Sequence, residues 1–473
     1  MKYVGIDIGG MTIKGGIVDE KGNILLTDDQ KRAVLERGRI LVSASAGSGK
    51  TSTMVKRIIV MISEGTTLKN LLVLVYNNAA ADELKEKLHQ ELFKAACASS
   101  GEKRDRFRQE IDELPFCHIC TIHAFCQSLI RENFDKLGIS PTFDVLDETR
   151  HASYMNRALD DVIATYTASG DETFCELADI FSQSRKEENL KSNLIKFYGL
   201  IEIQPDEEEF ERCVSECYDS YENSKFFAIL QDYYKTFFAN AKNALLPIKT
   251  QLEVLAPASK YLQSLAVAIC FCDELESKSK LFDMCTLASK YEKPRATVSP
   301  KASEEEKLLV GYVKDYLKQF HDAIDEMKEI CNRQDSLESA HEQNAKYVKK
   351  LVEVAQTFAK KLEELKQADN VLSFEDLQHK ALELLSHDEY ELSGDFDAVF
   401  VDEYQDVNPT QEAIIRKLVK GECFMVGDVK QSIYGFRLAD PAIFISRQNA
   451  YEESVKEGTN VYFNRNFRSA YGI

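Results

Sequence analysis

The sequence predicts an α/β fold in which a parallel sheet carries a phosphate-binding loop and a large helical insertion interrupts the sheet. Three observations lead to this fold class. A glycine-rich loop, residues 44–51, follows the short apolar stretch Ile40-Leu41-Val42 and precedes apolar residues at helical spacing. A second apolar stretch, residues 398–401, ends in a run of carboxylates. Between the two, residues 147–370 have few glycines, dense charge and helical periodicity.

The loop has the composition of a phosphate cradle. Small residues let successive backbone N–H groups turn inward around phosphate oxygens, and the following helix directs its positive end at the same charge. Lys50 would reach the β and γ phosphates of a nucleotide, and Thr51 would hold Mg²⁺. The predicted nucleotide-binding residues of the loop are Ala44, Ser45, Ala46, Gly47, Ser48, Gly49, Lys50 and Thr51.

Length and composition fit a protein of two or more domains. The chain has 473 residues, of which 44% are hydrophobic and 29% charged, with a formal net charge of -19. That charge argues against a non-specific polyanion binder, so any DNA site must be local. The apolar runs are too short to span a membrane, and the twelve cysteines show no disulfide framework, so we expect a cytoplasmic protein. The group Cys117, His118, Cys120 and His123 is spaced poorly for zinc, because alternating residues of an extended stretch point to opposite faces.

Residues 1–25 read as two strands joined by a turn. The stretch Asp7-Ile8-Gly9-Gly10 resembles the opening of a sugar kinase of the ROK family, with Met11 in place of the expected threonine. The later glycine-rich loop and cysteine-rich zinc motif of that family are absent from residues 26–473. We therefore interpret residues 1–25 as a leader of foreign origin.

Gln30 has two interpretations. Its spacing from Thr27 is that of a capping box at the start of a helix. Alternatively, a side-chain amide can donate to and accept from the adenine edge at once, and Gln30 lies at a suitable distance before the loop. We favour the adenine-reading role.

Polar and aromatic residues follow two further predicted strands. Leu71-Leu72-Val73-Leu74-Val75 ends at Tyr76, and residues 119–122 lead to His123. Ligands of α/β sheets bind at such strand ends. Tyr76, Thr121 and His123 are therefore candidates to contact a nucleic acid strand.

The carboxylates after residues 398–401 have the arrangement of a hydrolytic site. Asp402 would hold Mg²⁺ and Glu403 would polarise the attacking water. After the next apolar stretch, residues 423–426, Gln431 could sense the γ-phosphate. Arg468 could neutralise charge in the transition state, so the predicted catalytic residues are Lys50, Glu403, Gln431 and Arg468.

A set of rings and one cation follows Gln431. Tyr434, Phe436 and Arg437 combine aromatic faces with a guanidinium, as a platform for stacked bases does. The alternative is that both rings belong to the hydrophobic core.

Taken together, these motifs resemble those of superfamily-one DNA helicases of the UvrD/Rep/RecB type. The similarity covers residues 26–473 and includes the strand-contact motif at residues 75–81, which adds Asn77 to the predicted DNA contacts. Within that group, residues 401–406 and 426–434 are most similar to the AddA family of ATP-dependent helicase/nuclease subunits. The chain departs from the family pattern at Asn77, where threonine is common, and at Gly435, where arginine is common.

The resemblance implies a P-loop NTPase (RecA-like) parallel sheet with a large helical insertion domain. It further implies Mg²⁺-dependent ATP hydrolysis coupled to 3′ to 5′ movement along single-stranded DNA, in double-strand-break repair with an AddB partner. We expect a chain that carries the ATP-binding front part of such a motor, without its nuclease domain. A non-catalytic module that binds ATP, DNA or AddB is the alternative, and a ROK-type sugar kinase is a minor one.

The expected domain boundaries follow from the same resemblance. They are a leader at 1–25, the first part of motor lobe 1A at 26–146, the helical insertion 1B at 147–370, the second part of lobe 1A at 371–455, and the start of a second lobe 2A at 456–473.

Overall fold

A computed structural model describes most of the chain. The described residues are 3–9, 12–18, 26–45, 47–181, 186–221, 224–300, 302–387, 396–432, 439–454 and 456–464.

Two strands near the start of the chain form a hairpin. Tyr3–Gly9 (β1) pairs with Thr12–Val18 (β2) in antiparallel register, with Tyr3 opposite Val18. The predicted pair of strands is confirmed.

Six strands of the described chain form one parallel sheet, which confirms the predicted fold class. Their spatial order is β10, β3, β9, β8, β4, β5, and every neighbouring pair is parallel. All carboxyl ends therefore lie at one edge, where ligands of such sheets bind. The strands are Arg39–Ala44 (β3), Leu71–Val75 (β4), His118–Thr121 (β5), Ala398–Val401 (β8), Glu422–Gly427 (β9) and Thr459–Phe463 (β10).

Strand β10 changes the expected boundary at residue 456. Val461 pairs with Val42 of β3, so Thr459–Phe463 is an edge strand of the sheet that carries the phosphate loop. The family resemblance predicts the start of a second lobe here. Strand pairing instead keeps residues 459–463 in the first lobe.

Both faces of the sheet are buried because its strands are apolar at successive positions. Ile40 and Val42 point to one face and join a core with Phe400 and Phe424. Leu41 points to the other face and joins a second core. Burying one such side chain contributes about 1.5–3 kcal/mol, which explains the near-continuous apolar strands.

Helices cover both faces of the sheet. Those that follow or precede its strands are Asp28–Leu35 (α1), Lys50–Glu64 (α2), Asn78–Ala98 (α3), Glu102–Glu113 (α4), Ile122–Glu132 (α5), Phe374–Ser386 (α15), Pro409–Leu418 (α16) and Pro441–Glu453 (α17). A two-stranded parallel ladder, Asp144–Val145 (β6) with Val371–Leu372 (β7), joins the two ends of the predicted insertion.

The insertion itself is helical, as its periodicity predicted. Its helices are Glu148–Ser169 (α6), Glu172–Phe181 (α7), Lys186–Glu202 (α8), Glu207–Glu216 (α9), Lys225–Leu255 (α10), Tyr261–Glu276 (α11), Leu281–Ser289 (α12), Glu304–Asn332 (α13) and Gln334–Ala368 (α14). None of the described helices combines the length and the apolar composition needed to cross a membrane.

The chain divides into two compact units, and the division differs from the expected limits of 147 and 370. The second unit comprises residues 166–186 and 208–356, whereas the first includes 187–207 and everything from 357 onward. Ion pairs explain why the insertion's base belongs to the first unit. Asp160 pairs with Lys191, and Asp161 lies 3.3 Å from Lys361.

The second unit has its own core, which is rich in aromatic rings. Phe238 and Phe320 meet edge to face with centroids 5.0 Å apart, and Phe271 lies 5.3 Å from Phe238. The unit thus folds around side chains of α10, α11 and α13.

Candidate active site

The phosphate loop has the backbone geometry that its glycines predicted. Gly47 and Gly49 have φ values of 74° and 89°, a region that favours glycine. A Cβ atom on Gly49 would lie 2.9 Å from the Gln30 Nε2 atom. Helix α2 begins at Lys50, and among the described residues no side chain caps its first turn. Its N–H groups are therefore available to an anion, and Thr51 lies in that same turn.

Gln30 performs the capping role and also contacts the loop. Its Oε1 atom accepts from the Thr27 N–H at 3.0 Å, which completes a capping box. Its Nε2 atom donates to the Ser48 carbonyl at 2.9 Å, and the residue is only 4% exposed. The structure thus adds a loop-bracing contact, while adenine recognition by Gln30 stays a prediction.

Lys50 and Glu403 meet at the carboxyl edge of the sheet. The Lys50 Nζ atom lies 3.1 and 2.9 Å from the two Glu403 carboxylate oxygens. These residues follow strands β3 and β8, and β9 lies between those strands, so the sheet order creates the contact. Glu403 has φ 49° and ψ 45°, a left-handed conformation that costs a non-glycine residue about 1–3 kcal/mol. The structure therefore brings two predicted catalytic residues together at a strained turn.

Asp402 lies beside this ion pair in an environment that disfavours its charge. Burial, reinforced by the Glu403 carboxylate and opposed by Lys50, raises the pKa of Asp402 to about 6. The Asp402 Oδ1 atom accepts from the Glu403 N–H at 3.1 Å. Two adjacent carboxylates at the end of a strand form a site whose charge repulsion a divalent cation would relieve.

Gln405 connects the carboxylate turn to strand β9, a role that the sequence motifs did not reveal. Its Nε2 atom donates to Glu403 and Asp406, each at 3.0 Å, and its Oε1 atom accepts from the Asp428 N–H at 2.9 Å. A Cβ atom on Gly427 would lie 2.5 Å from that Oε1 atom. The signal in the sequence was an amide between carboxylates with a glycine at the end of the next strand.

Gln431 is placed by the same link. It ends a 3-10 turn, Val429–Gln431, and its Nε2 atom donates to the buried Asp428 carboxylate. Asp428 thus connects Gln431 to Gln405. A contact between Gln431 and a γ-phosphate stays a prediction.

The predicted strand contacts lie near the carboxylate turn. Tyr76, Thr121 and His123 line a cavity of about 480 Å³ together with Asp402 and Glu403. The carboxyl ends of β4, β5 and β8 meet there because these strands are neighbours in the sheet.

Two of the predicted DNA contacts also stabilise helix starts, which is the alternative role of such polar residues. The Thr121 hydroxyl accepts from the Ala124 N–H at 3.2 Å. The Asn77 side chain accepts from the Ala80 N–H at 2.7 Å and is exposed outside the cavity lining. Asn77 is therefore separated from the other three candidates.

His123 is held by contacts on two sides. Its Nε2 atom lies 3.1 Å from the Gln378 amide nitrogen, and its ring lies 4.9 Å from the Phe374 ring. Gln378 in turn accepts from the Asn408 amide at 3.2 Å. This chain of contacts fixes the imidazole at the cavity wall.

Some predicted site residues lie outside the described residues. They are Ala46, Tyr434, Phe436, Arg437 and Arg468.

Comparison with known proteins agrees with this geometry. Residues 26–246 and 253–452 match the family model of the UvrD/REP helicase N-terminal domain. The match includes the phosphate loop, the carboxylate turn and the cavity, and it begins after the ROK-like residues 1–25.

Curated relatives share the same part of the chain. The AddA-type subunit of the ATP-dependent helicase/nuclease of Enterococcus faecalis is 30% identical over 484 residues, which cover 94% of this chain and 37% of the relative. The corresponding subunits from Pediococcus pentosaceus and Bacillus velezensis are each 30% identical and are each covered to 38%. The chain thus spans under two fifths of the length of these relatives. With its matched residues forming the parallel sheet and the site at its carboxyl edge, the chain belongs to the UvrD/REP helicase family, in the part corresponding to the N-terminal domain.

Proposed function

We propose that this chain is the ATP-binding part of a DNA helicase motor of the AddA type. The observation that carries the proposal is the meeting of Lys50 with the Glu403 carboxylate at 2.9 Å, beside Asp402 and the uncapped start of α2. A cation for phosphates, two carboxylates and a helix N-terminus are the groups that nucleotide hydrolysis requires.

The residues fit ATP with Mg²⁺. The uncapped first turn of α2 and Lys50 would hold the phosphates, while Thr51 and Asp402 would hold the cation. Burial and repulsion from Glu403 raise the pKa of Asp402, and a cation at this point would relieve both effects. Bound Mg²⁺ would neutralise charge on the phosphates, and Glu403 would orient the attacking water once Lys50 has left it.

The strand-end cavity supports a DNA contact near this site. Tyr76, Thr121 and His123 line the same cavity as Asp402 and Glu403, so a bound strand and the hydrolytic carboxylates would share one wall. Such proximity would let ATP hydrolysis alter the grip on DNA. By analogy with the helicase/nuclease relatives, the whole protein would act as one subunit beside an AddB-like partner in double-strand-break repair, moving 3′ to 5′ on single-stranded DNA.

The experiment is a titration of a fluorescent oligothymidylate with the purified chain, with and without a non-hydrolysable ATP analogue and Mg²⁺. We expect affinity that falls as salt rises, that changes with the analogue, and that weakens in His123→Ala. The matched control is His89→Ala, because His89 is exposed on α3 outside the cavity lining. Binding that ignores nucleotide and is equal in both variants would contradict the proposal.

A further inference from the structure

The wall of the strand-end cavity contains a group of side chains that the nucleotide site does not use. His151 near the start of α6, Glu202 at the end of α8 and Glu375 near the start of α15 all line the cavity. One ligand atom from each lies within 4.8 Å of the others. Three elements far apart in sequence therefore bring an imidazole and two carboxylates to one point.

Two of these side chains have atoms whose bonding potential is unused. Among the described residues, neither the Glu202 Oε1 atom nor the His151 Nε2 atom has a hydrogen-bond partner. Glu202 is only 8% exposed, and a buried carboxylate oxygen without a partner is unfavourable because its desolvation is not compensated. A ligand that bonds both atoms would remove this deficit.

The surrounding charges favour a cation. Lys366 contributes a positive charge near Glu202, but its Nζ atom bonds Asp376 at 2.6 Å. Burial, reinforced by the Glu375 carboxylate, raises the pKa of Glu202 well above its ordinary value. A bound cation would offset both the burial of Glu202 and the repulsion between the two carboxylates.

We propose that His151, Glu202 and Glu375 form a binding site for a divalent transition-metal cation, for which Zn²⁺ is the probe. One imidazole with two carboxylates is a ligand set that suits zinc or manganese better than a thiolate-selective ion. Three protein ligands leave a coordination position open toward the cavity. The metal would join the ends of α6, α8 and α15 at the cavity wall that His123 also lines.

This site differs from the Mg²⁺ site of the proposed function. The ligands of the nucleotide site are Thr51 and Asp402, on α2 and after β8, whereas the cluster lies on helices of the insertion's base and on α15. The two sites share the cavity wall only through Asp402 and Glu403. Metal binding by the cluster is therefore independent of nucleotide binding.

The test is calorimetric titration of Zn²⁺ into the chelator-treated chain, under reducing conditions because the chain has twelve cysteines. The variants are His151→Gln and Glu375→Gln, both at half-buried positions. The controls are Glu148→Gln, on the same cavity wall, and Asp402→Asn, in the nucleotide site. We expect wild type and controls to bind one equivalent that both cluster variants bind at least about tenfold more weakly or not at all.

Two further measurements make the result decisive. Zn²⁺ should raise the thermal unfolding midpoint of the wild type and leave that of His151→Gln unchanged, since a ligand stabilises only the state that binds it. ADP binding by His151→Gln should equal that of wild type, which would show that the variant is folded. Equal zinc binding by wild type and both cluster variants would overturn the proposal, as would an equivalent lost in Asp402→Asn but kept in His151→Gln.

Discussion

The Lys50–Glu403 ion pair sets a prediction for nucleotide affinity. Lys50 cannot contact phosphates fully while its Nζ atom bonds both Glu403 oxygens, at 3.1 and 2.9 Å. Glu403→Gln removes the charge and keeps the shape of the side chain. Gln405 can still donate to the new amide oxygen, and the left-handed backbone at residue 403 is common to both proteins. The substitution therefore isolates the cost of breaking the ion pair.

The magnitude follows from how much solvent the pair meets. Two unit charges about 3 Å apart attract by roughly 5 kcal/mol at an effective dielectric constant of about 20. Desolvation and screening cancel most of this, because the Lys50 side chain is 12% and that of Glu403 33% exposed. A net value of about 1 kcal/mol remains, the upper end for pairs in contact with water. Glu403→Gln should therefore bind nucleotide about fivefold more tightly, while losing hydrolysis.

The assay is calorimetric titration with ADP, which has no γ-phosphate to lose and so reports binding alone. The matched control is Asp406→Asn, because Asp406 bonds Gln405 in the same turn but makes no ion pair with Lys50 among the described residues. We expect its affinity to stay near that of wild type. Equal affinity of Glu403→Gln and wild type, or weaker binding by the variant, would refute the reasoning.

Two further predictions concern the loop and the core. Gly49→Ala should lower both nucleotide affinity and thermal stability, because φ of 89° strains alanine by about 1–2 kcal/mol and the new Cβ would meet the Gln30 amide; Gly38→Ala, at φ 90° with no atom of the described residues within 4 Å, should show the strain alone, and equal losses would count against the Gln30 contact. Phe400→Ala should lower the free energy of unfolding in urea by about 3–5 kcal/mol, because the ring is fully buried against the sheet core. Phe93→Ala, at a residue that is 58% exposed, should change it by less than about 0.5 kcal/mol, and similar losses in the two would contradict the assigned core.

The site's ingredients could be predicted from the sequence because each depends on local chemistry. The loop at 44–51 needs glycines and a lysine in fixed order, and parallel strands place their carboxyl ends together. These rules sufficed for the fold class and for the closeness of Tyr76, Thr121 and His123 to Asp402.

Other features depend on contacts between distant residues, which no local pattern encodes. Helical periodicity continues through residues 147–370, so it could not show that ion pairs of Asp160 and Asp161 bind the insertion's base to the first unit. Strand 459–463 carries no signal of which sheet it joins. The amide of Gln405 acquires its three partners only when β8 and β9 lie side by side.

The assignment of the phosphate site is tested most directly by measuring ATP binding to the wild-type chain and to Lys50→Ala, each with Mg²⁺ and with excess chelator. We predict magnesium-dependent binding in the wild type and its loss in Lys50→Ala, with unfolding midpoints that show both proteins folded. Unchanged ATP affinity in folded Lys50→Ala would contradict the assignment.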